Sequence, residues 1–251
     1  ATISIVSIVK NEEKILRACL EPLKAMAGDG VELEWVVVDT GSTDNTVAII
    51  KEFAGDGNVK TLPFENYVVT KNRALALATG DWIYFTDADE KLREGAEWLR
   101  EYAKSGDLDC ILGLIVEGDP NDPVQQYYRA RMWRNNGAYQ YEGPGVHEVL
   151  VPKGRLVYDQ RIVVHHDHSH RTNPEADKVK YNGYVDILKK HLAEHPDDPR
   201  AVFYLARTYA DLNLPLLAID KFKQYLTYNT NFKDERWQAA REAALCYEDL
   251  G

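Results

Sequence analysis

Along residues 1–90, short β-branched runs alternate with longer segments whose apolar positions recur every three or four residues. The runs lie at 3–9, 33–38, 59–62 and 82–85, and the segments with helical spacing at 12–27, 44–53 and 67–78. Strand and helix repeated this way predict βαβ units and a mostly parallel sheet. Ser42-Thr43-Asp44 offers N-cap oxygens, Asn11 precedes an acidic first turn, and Gly80 is placed to close a helix before the fourth strand.

From residue 109 to about 167 the pattern changes to β runs broken by turn clusters. Asp119-Pro120-Asn121-Asp122-Pro123 reads as a loop joining antiparallel strands, and Gly143-Pro144-Gly145 as a second turn. From Pro174 every element reads as helix, at 175–194, 200–212, 215–228 and 233–250, with breaks around Pro196 to Pro199 and at Asn213-Leu214-Pro215. The expected division is an α/β domain over 1–173 and a helical region over 174–251, with the boundary near Asn173. In the helical region Val202, Leu205, Ala206, Tyr209, Ala218 and Phe222 have the spacing of one tetratricopeptide repeat, and Ala243, Ala244, Tyr247 and Gly251 resemble the first helix of a second. A generic helical hairpin has the same spacing. A lone repeat cannot bury its own faces, so this one is expected to pack on other structure or to receive a protein partner.

Composition then narrows the function classes. Of 251 residues 40 are acidic and 30 basic, a formal charge of −10, which argues against a nucleic-acid polymer as partner because phosphate binding needs a basic face. Any phosphate chemistry must be handled locally, for instance through a metal. Cys19, Cys110 and Cys246 are odd in number and far apart, which fits a reducing, cytoplasmic setting better than a disulfide framework. The apolar stretch at 3–9 is far shorter than the roughly 20 residues of a membrane span. Because the chain opens at Ala1 inside a strand-like run, it is expected to be a segment of something longer.

The segment Gly80-Asp81-Trp82-Ile83-Tyr84-Phe85-Thr86-Asp87-Ala88-Asp89-Glu90 carries the most chemistry. A buried parallel strand would deliver Asp87 and Asp89 at its carboxyl end, where open α/β sheets bind ligands, and alternation would turn both to one side. Two converging carboxylates repel unless a cation lies between them, and hard oxygen donors favour Mg²⁺ or Mn²⁺. Neither G-x-G-x-x-G nor G-x-x-x-x-G-K-[ST] follows the first strand, so dinucleotide and P-loop fingerprints are absent.

Four blocks in order, Val6-Ser7-Ile8-Val9-Lys10-Asn11-Glu12-Glu13, Val37-Val38-Asp39-Thr40-Gly41-Ser42-Thr43-Asp44-Asn45-Thr46, Lys71-Asn72-Arg73-Ala74-Leu75 and Gly80 through Glu90, are similar to the family 2 glycosyltransferases, whose fold is GT-A. The likeness thins over 95–140 and returns at Val146-His147-Glu148 and His165. It implies a metal-dependent, inverting transferase moving a sugar from a nucleotide-sugar donor, most simply UDP-linked, to an acceptor hydroxyl on a glycan, lipid or protein. Carried over, Asp89 is the metal ligand and Asp87 a ribose partner or water-mediated metal ligand. Val9, Asp39, Ser42, Lys71, Asn72 and Ala88 join Asp87 around the nucleotide. Lys71 stands where the family commonly has arginine, so its phosphate or base contact would lack the bidentate fork.

A base must deprotonate the acceptor. The family's Glu-Asp pair is missing, and Glu148 is the expected substitute, with Asp122 and Glu117 as fallbacks. The resemblance further implies a histidine metal ligand within His165-His166-Asp167-His168-Ser169-His170, and alternation after an apolar strand lets His165 point inward and His166 away, with His168 as second choice. No H-E-x-x-H or cysteine pair suggests a dedicated zinc site. Tyr127, Tyr128, Trp133, Tyr139 and Tyr141 would either stack on sugars or fill the core. Two rivals remain: a sugar-nucleotide nucleotidyltransferase, normally marked by a Gly-rich basic loop after the first strand, and a non-catalytic scaffold working through the repeats.

Overall fold

The computed structural model describes residues 1–119, 122–167 and 174–251, in two compact units. The first takes in 1–65, 69–141 and the residues from 150 up to the helical region; the second takes in 66–68, 142–149 and the C-terminal helices. The division thus does not follow chain order, since two short segments that sequence patterning assigns to the α/β part belong with the helices. Asn173 itself lies outside the described residues.

The first unit is built on an eight-stranded sheet: β1 (Thr2–Val9), β2 (Glu32–Asp39), β3 (Lys60–Thr61), β4 (Trp82–Phe85), β5 (Glu90–Glu94), β6 (Cys110–Asp119), β7 (Asp122–Arg134) and β8 (Leu156–His166). Their order is β3-β2-β1-β4-β7-β6-β8-β5. Four of the seven pairings are parallel and three antiparallel. Successive strands spread from β1 to β3 on one side, then β4 pairs on the other side of β1. That reversal opens a crevice at the carboxyl ends of β1 and β4, where ligands of such sheets bind.

Helices α2 (Thr46–Ala54), α3 (Tyr67–Leu75) and α4 (Ala96–Ser105) form where the apolar spacing predicts, or, for α4, where sequence patterning made no assignment. The expected helix over 12–27 is shorter: α1 runs only Leu16–Leu20 and gives way to a 3₁₀ turn at Glu21–Met26, because Pro22 has no N–H for the helical ladder. One face of the sheet packs Ile3, Ile5, Trp82, Tyr84, Ile162 and Val164 against Leu16, Leu20, Leu23 and Leu99.

Gly80 does not cap a helix, which ends five residues earlier. Its N–H donates to Ser4 Oγ (2.9 Å), and a Cβ there would stand 2.7 Å from that oxygen and 2.8 Å from the Thr2 carbonyl. Close approach to β1 therefore requires glycine.

In the second unit, α5 (Pro174–Glu194), α6 (Pro199–Asp211), α7 (Pro215–Thr227) and α8 (Lys233–Glu248) match the four predicted helices within two residues at each end. Asp198 caps α6 by accepting from the Arg200 and Ala201 N–H groups, while its other oxygen meets His191 Nε2 at 2.8 Å and ties the end of α5 to the start of α6. Val202, Leu205, Ala206, Tyr209, Ala218 and Phe222 are all buried, with Ala239, Ala243 and Cys246 of α8 in the same cluster. Among the described residues no helix is long and apolar enough to cross a membrane. The three cysteines are free and buried.

Replacing Gly80 by alanine should lower stability by about 1–3 kcal/mol through overpacking against β1. Urea unfolding checks this, and an unchanged midpoint would mean that β1 and the Gly80 turn are not in contact.

Candidate active site

Loops at the carboxyl ends of β1 and β2 brace each other. Asp39, almost fully buried, accepts from the Gly41 N–H (3.1 Å) and the Ser42 N–H (3.0 Å), so its carboxylate shapes the turn that leaves β2. Asn11, at φ +57°, donates its N–H to Ser42 Oγ and accepts from the Thr43 N–H at 2.7 Å. Glu13 accepts from the backbone and side chain of Asn45. The Val9 carbonyl is taken by the Thr40 N–H and hydroxyl.

After Phe85 the chain turns, and the two aspartates part company. Asp87 Oδ1 meets Lys71 Nζ at 2.9 Å and its Oδ2 meets Arg129 Nη2 at 3.1 Å. Arg129 also reaches Glu90 Oε1 (3.1 Å), and Arg131 closes on Glu90 Oε2 (2.6 Å). The Glu90 carboxylate further accepts from the Asp87 N–H at 3.0 Å. Lys71, Glu90 and Arg131 are sealed from solvent, whereas Asp87 and Arg129 keep about 30% of their side chains exposed at 29% and 32%. Three cations and two carboxylates thus form one chain, ending at an accessible rim.

Burial alone would raise the Asp87 carboxyl, but Lys71 and Arg129 outweigh it and hold it well below the usual carboxylate range. Glu90 is treated the same way: burial pushes it up, and Arg131 and Arg129 bring it below its ordinary value. For Arg129, burial favours the neutral form, yet Glu90 and Asp87 raise its pKa further. Lys71 also lies over the Phe85 and Tyr141 rings, 4.7 and 5.1 Å from their centroids. Asn72 spends both ends of its amide on the Tyr141 backbone, at 2.9 and 2.8 Å. Lys71 and Asn72 therefore organise the floor of the site, where direct contact with a nucleotide was expected.

Asp89 is held differently. His166 Nε2 lies 3.3 Å from Asp89 Oδ2, and His166 Nδ1 lies 3.4 Å from Glu117 Oε1. His165 instead meets the Gly118 carbonyl through Nε2 (2.6 Å) and Arg93 through Nδ1 (3.3 Å). The imidazole beside Asp89 is therefore His166 where His165 was expected, while His165 is the more buried of the two; β8 slips against β6 between Asp159 and Val163, and against β5 between Val163 and Val164. Each slip breaks the count of alternating faces on which the expectation rested. His168 lies outside the described residues. Ala88, between the aspartates, is buried.

Sequence patterning missed Arg129 and Arg131, whose signal was two arginines at strand spacing among the apolar residues of β7. It also missed β5, which places Glu90. Of the aromatic residues left open, Trp133, Tyr139 and Tyr141 are core, Tyr127 donates to Glu117 at 2.9 Å, and Tyr128 stays 40% exposed, edge-to-face with Tyr158. Asp122 pairs with Asp119 at the far end of the β6–β7 hairpin.

Glu148 belongs to the second unit and is half-buried. It follows a tight turn in which Gly145 has φ +93° and a Cβ would come within 2.7 Å of Ile187, and in which His147 also adopts a left-handed backbone at φ +53°. The His147 ring stacks on Tyr204, centroids 4.2 Å apart and planes 17° from parallel.

The model of Glycosyl transferase family 2 matches residues 4–157, more than half of the chain, a span that includes Asp39, Asp87 and Asp89 and stops at the start of β8. The chain belongs to this family. Among curated relatives, the SPbeta prophage-derived glycosyltransferase SunS of Bacillus subtilis is 27% identical over 257 residues, covering 98% of this chain and 58% of its own length. A TPR repeat-containing protein of Synechococcus elongatus is 29% identical over 215 residues, 79% of this chain and 50% of its own. The family 2 chain described here thus spans little more than half the length of these relatives. Among solved structures, S. aureus TarS 1–349 in complex with UDP superposes with a TM-score of 0.52 at 15% identity, over 98% of this chain and 89% of that one, a likeness of fold. The GT-A expectation, a mostly parallel sheet flanked by helices and followed by a helical extension, holds for this family 2 member.

Glu90→Gln should cost about 3–5 kcal/mol at neutral pH, because it leaves Arg131 buried beside a neutral amide. Asp87 and Glu90 both titrate below their unfolded values, so their contribution is complete above about pH 4–5 and is lost as the pH falls below that range. Unfolding free energy measured from pH 7 to pH 2.5 should fall less steeply for Glu90→Gln than for the parent. Equal slopes would remove Glu90 from the acid-sensitive network.

Proposed function

We propose that this family 2 member is a metal-dependent, inverting glycosyltransferase that takes a sugar from a UDP-sugar and gives it to an acceptor hydroxyl. The observation that carries the reading is the separation of the two aspartates: Asp87 is fixed by Lys71 and Arg129, while Asp89 stands with His166 and Glu117. One position is suited to hold a donor, the other a cation. The TarS structure with the same fold was solved with UDP, which supports a uridine nucleotide here.

A carboxylate offers about four lone-pair sites, so Asp87 can keep both cations and still accept from a ribose hydroxyl. Asp39 and the 40–43 turn that it shapes stand at the end of β2 for the base and ribose, with Ser42 and the Val9 backbone beside them. Lys71 and Asn72 serve by setting Asp87 and Tyr141.

The donor set of Asp89 and His166, with Glu117 behind, joins hard oxygens to an imidazole and fits Mn²⁺ or Mg²⁺. Among the described residues no three such side chains are gathered around one point, so the proposal rests on Asp89 and His166 as the protein's own ligands to the ion. When bound, it would offset charge building on the departing diphosphate. The ion chain adds one net positive charge at the same rim. An acidic protein would thus accept a polyanion through local charge.

Glu148 is the proposed base, taking the acceptor proton as the new bond forms on the face opposite the leaving group; a single displacement inverts the anomeric centre. The helical unit, with tetratricopeptide-like packing, is proposed to present the acceptor or a protein partner, and the free cysteines suit a cytoplasmic setting.

Calorimetry with UDP and Mn²⁺ tests the metal assignment. Asp89→Ala should abolish the Mn²⁺-dependent part of UDP binding in a protein whose unfolding is unchanged; undiminished affinity would remove Asp89 from the metal. Glu148→Gln should retain donor binding and lower turnover by about 10²–10⁴-fold, since its amide cannot take a proton. Near-normal transfer would move the base to another carboxylate.

A further inference from the structure

The corner where α5 ends and α6 begins carries a side-chain cluster that sugar transfer leaves unused. His191, Glu194, His195, Pro196, Asp197 and Asp198 line one open depression on the helical unit. His195 stands just past the last residue of α5, yet its N–H still donates to the His191 carbonyl at 2.8 Å, so the helical turn runs on and both histidines share one face at i and i+4. Their ring centroids are 4.8 Å apart, with planes 41° from parallel.

That separation has a chemical meaning. A nitrogen bound to a zinc-class ion at about 2.0–2.1 Å puts its ring centroid about 3.2 Å from the metal, and two such rings at about 90–110° bring their centroids to roughly 4.5–5.2 Å. The observed spacing falls inside this range. The run His191-Leu192-Ala193-Glu194-His195 also has the H-x-x-E-H order in which a helix presents two imidazoles to zinc.

Asp198 selects the nitrogen. Its Oδ1 accepts from the Arg200 and Ala201 N–H groups, and its Oδ2 meets His191 Nε2 at 2.8 Å. An ionised carboxylate only accepts, so Nε2 carries the proton and Nδ1 keeps the lone pair that a metal needs. A carboxylate behind an imidazole in this way both orients the ring and makes it more basic as a ligand. The Asp198 N–H donates to the His195 carbonyl at 3.2 Å, and Pro196 and Pro199 restrict the backbone between the two helices. His195 is exposed and His191 half-buried, so both are within reach of solvent ions.

Charge at this corner favours a cation. Glu194, Asp197 and Asp198 bring three carboxylates to the depression. Of the basic residues nearby in the chain, Lys189 lies 5.9 Å from the Tyr209 ring centroid, and Arg200 is engaged by Glu235 at 3.4 Å and the Tyr204 hydroxyl at 2.8 Å. Lys190 is displaced from His191 by about 100° around the helix.

We propose that His191 and His195 form a two-imidazole site for a divalent transition metal of the zinc class, with Asp198 as its positioning carboxylate. Imidazole nitrogens suit Zn²⁺, Ni²⁺ or Cu²⁺, whereas Mg²⁺ takes oxygen donors. Among the described residues no three His, Cys, Asp or Glu side chains are gathered around one point, so the proposal rests on the two imidazoles as the protein's own ligands. A bound ion would brace the end of α5 against the turn that starts α6. The site is independent of the transferase reading and of Asp89.

The test uses the full chain without an affinity tag, its histidines labelled with ¹⁵N, and follows the ring signals by NMR as Zn²⁺ is added at pH 7.5, with Mg²⁺ as the control. His191 and His195 should shift together and saturate at one equivalent of Zn²⁺, in the parent and in Asp89→Ala alike. His191→Ala and His195→Ala should each weaken this binding at least about tenfold. Asp198→Asn, which keeps a capping oxygen for α6, should weaken it about 10–100-fold with little change in unfolding, and an undiminished affinity there would remove Asp198 from the site. Zn²⁺ should also raise the unfolding temperature of the parent more than that of the double histidine variant. Ring signals that stay still, Mg²⁺ matching Zn²⁺, or undiminished affinity in the folded single-histidine variants would overturn the site.

Discussion

The corner of the sheet that holds Asp87 depends on five charged side chains, three of them sealed from solvent. Lys71, Asp87, Arg129, Glu90 and Arg131 join α3, the turn after β4, the start of β5 and the middle of β7. None of the buried members could stay charged alone, because removing an ion from water costs several kcal/mol that only a close partner offsets. The constraint is mutual. If Glu90 is misplaced Arg131 is stranded, and if Arg129 moves Asp87 loses half of its anchoring. Geometry at the rim is therefore tied to the core behind it, where the Phe85 and Tyr141 rings lie under the Lys71 ammonium.

That rigidity distinguishes two aspartates that read alike in sequence. Asp87, with both oxygens engaged, is a fixed acceptor. Asp89 lies one residue beyond Ala88 and faces an imidazole rather than the ion chain. An Asp-x-Asp motif drawn as a matched pair thus becomes, in three dimensions, two positions with different neighbours. Glycine and proline set the backbone that makes this possible: Gly80 lets β4 start against β1, and Pro22 ends α1 early.

The alternation of apolar runs and helical spacing was enough to read the parallel half of the sheet and the four C-terminal helices, and the four sequence blocks carried the resemblance to the family. Local pattern carries that information because strand and helix periods are set residue by residue. What it could not carry was long-range pairing. Arg129 and Arg131 gain meaning only when β7 enters the sheet beside β4, which brings Arg129 to Asp87 across 42 residues of chain. The choice between His165 and His166 turned on two slips of β8 against its neighbours, which no periodicity before the slip encodes. Likewise residues 142–149 read as part of the α/β domain by position, although their buried Val146 belongs to the core of the helical unit.

The central claim, that the two aspartates are divided between a charge-locked acceptor and a cation position completed by His166, can be read directly from the ligands of bound Mn²⁺. Pulsed electron paramagnetic resonance on the protein with Mn²⁺ and UDP reports ¹⁴N nuclei in the coordination shell. A histidine nitrogen signal should be present in the parent protein, persist in His165→Ala and vanish in His166→Ala. A signal that survives in His166→Ala and disappears in His165→Ala would contradict the account.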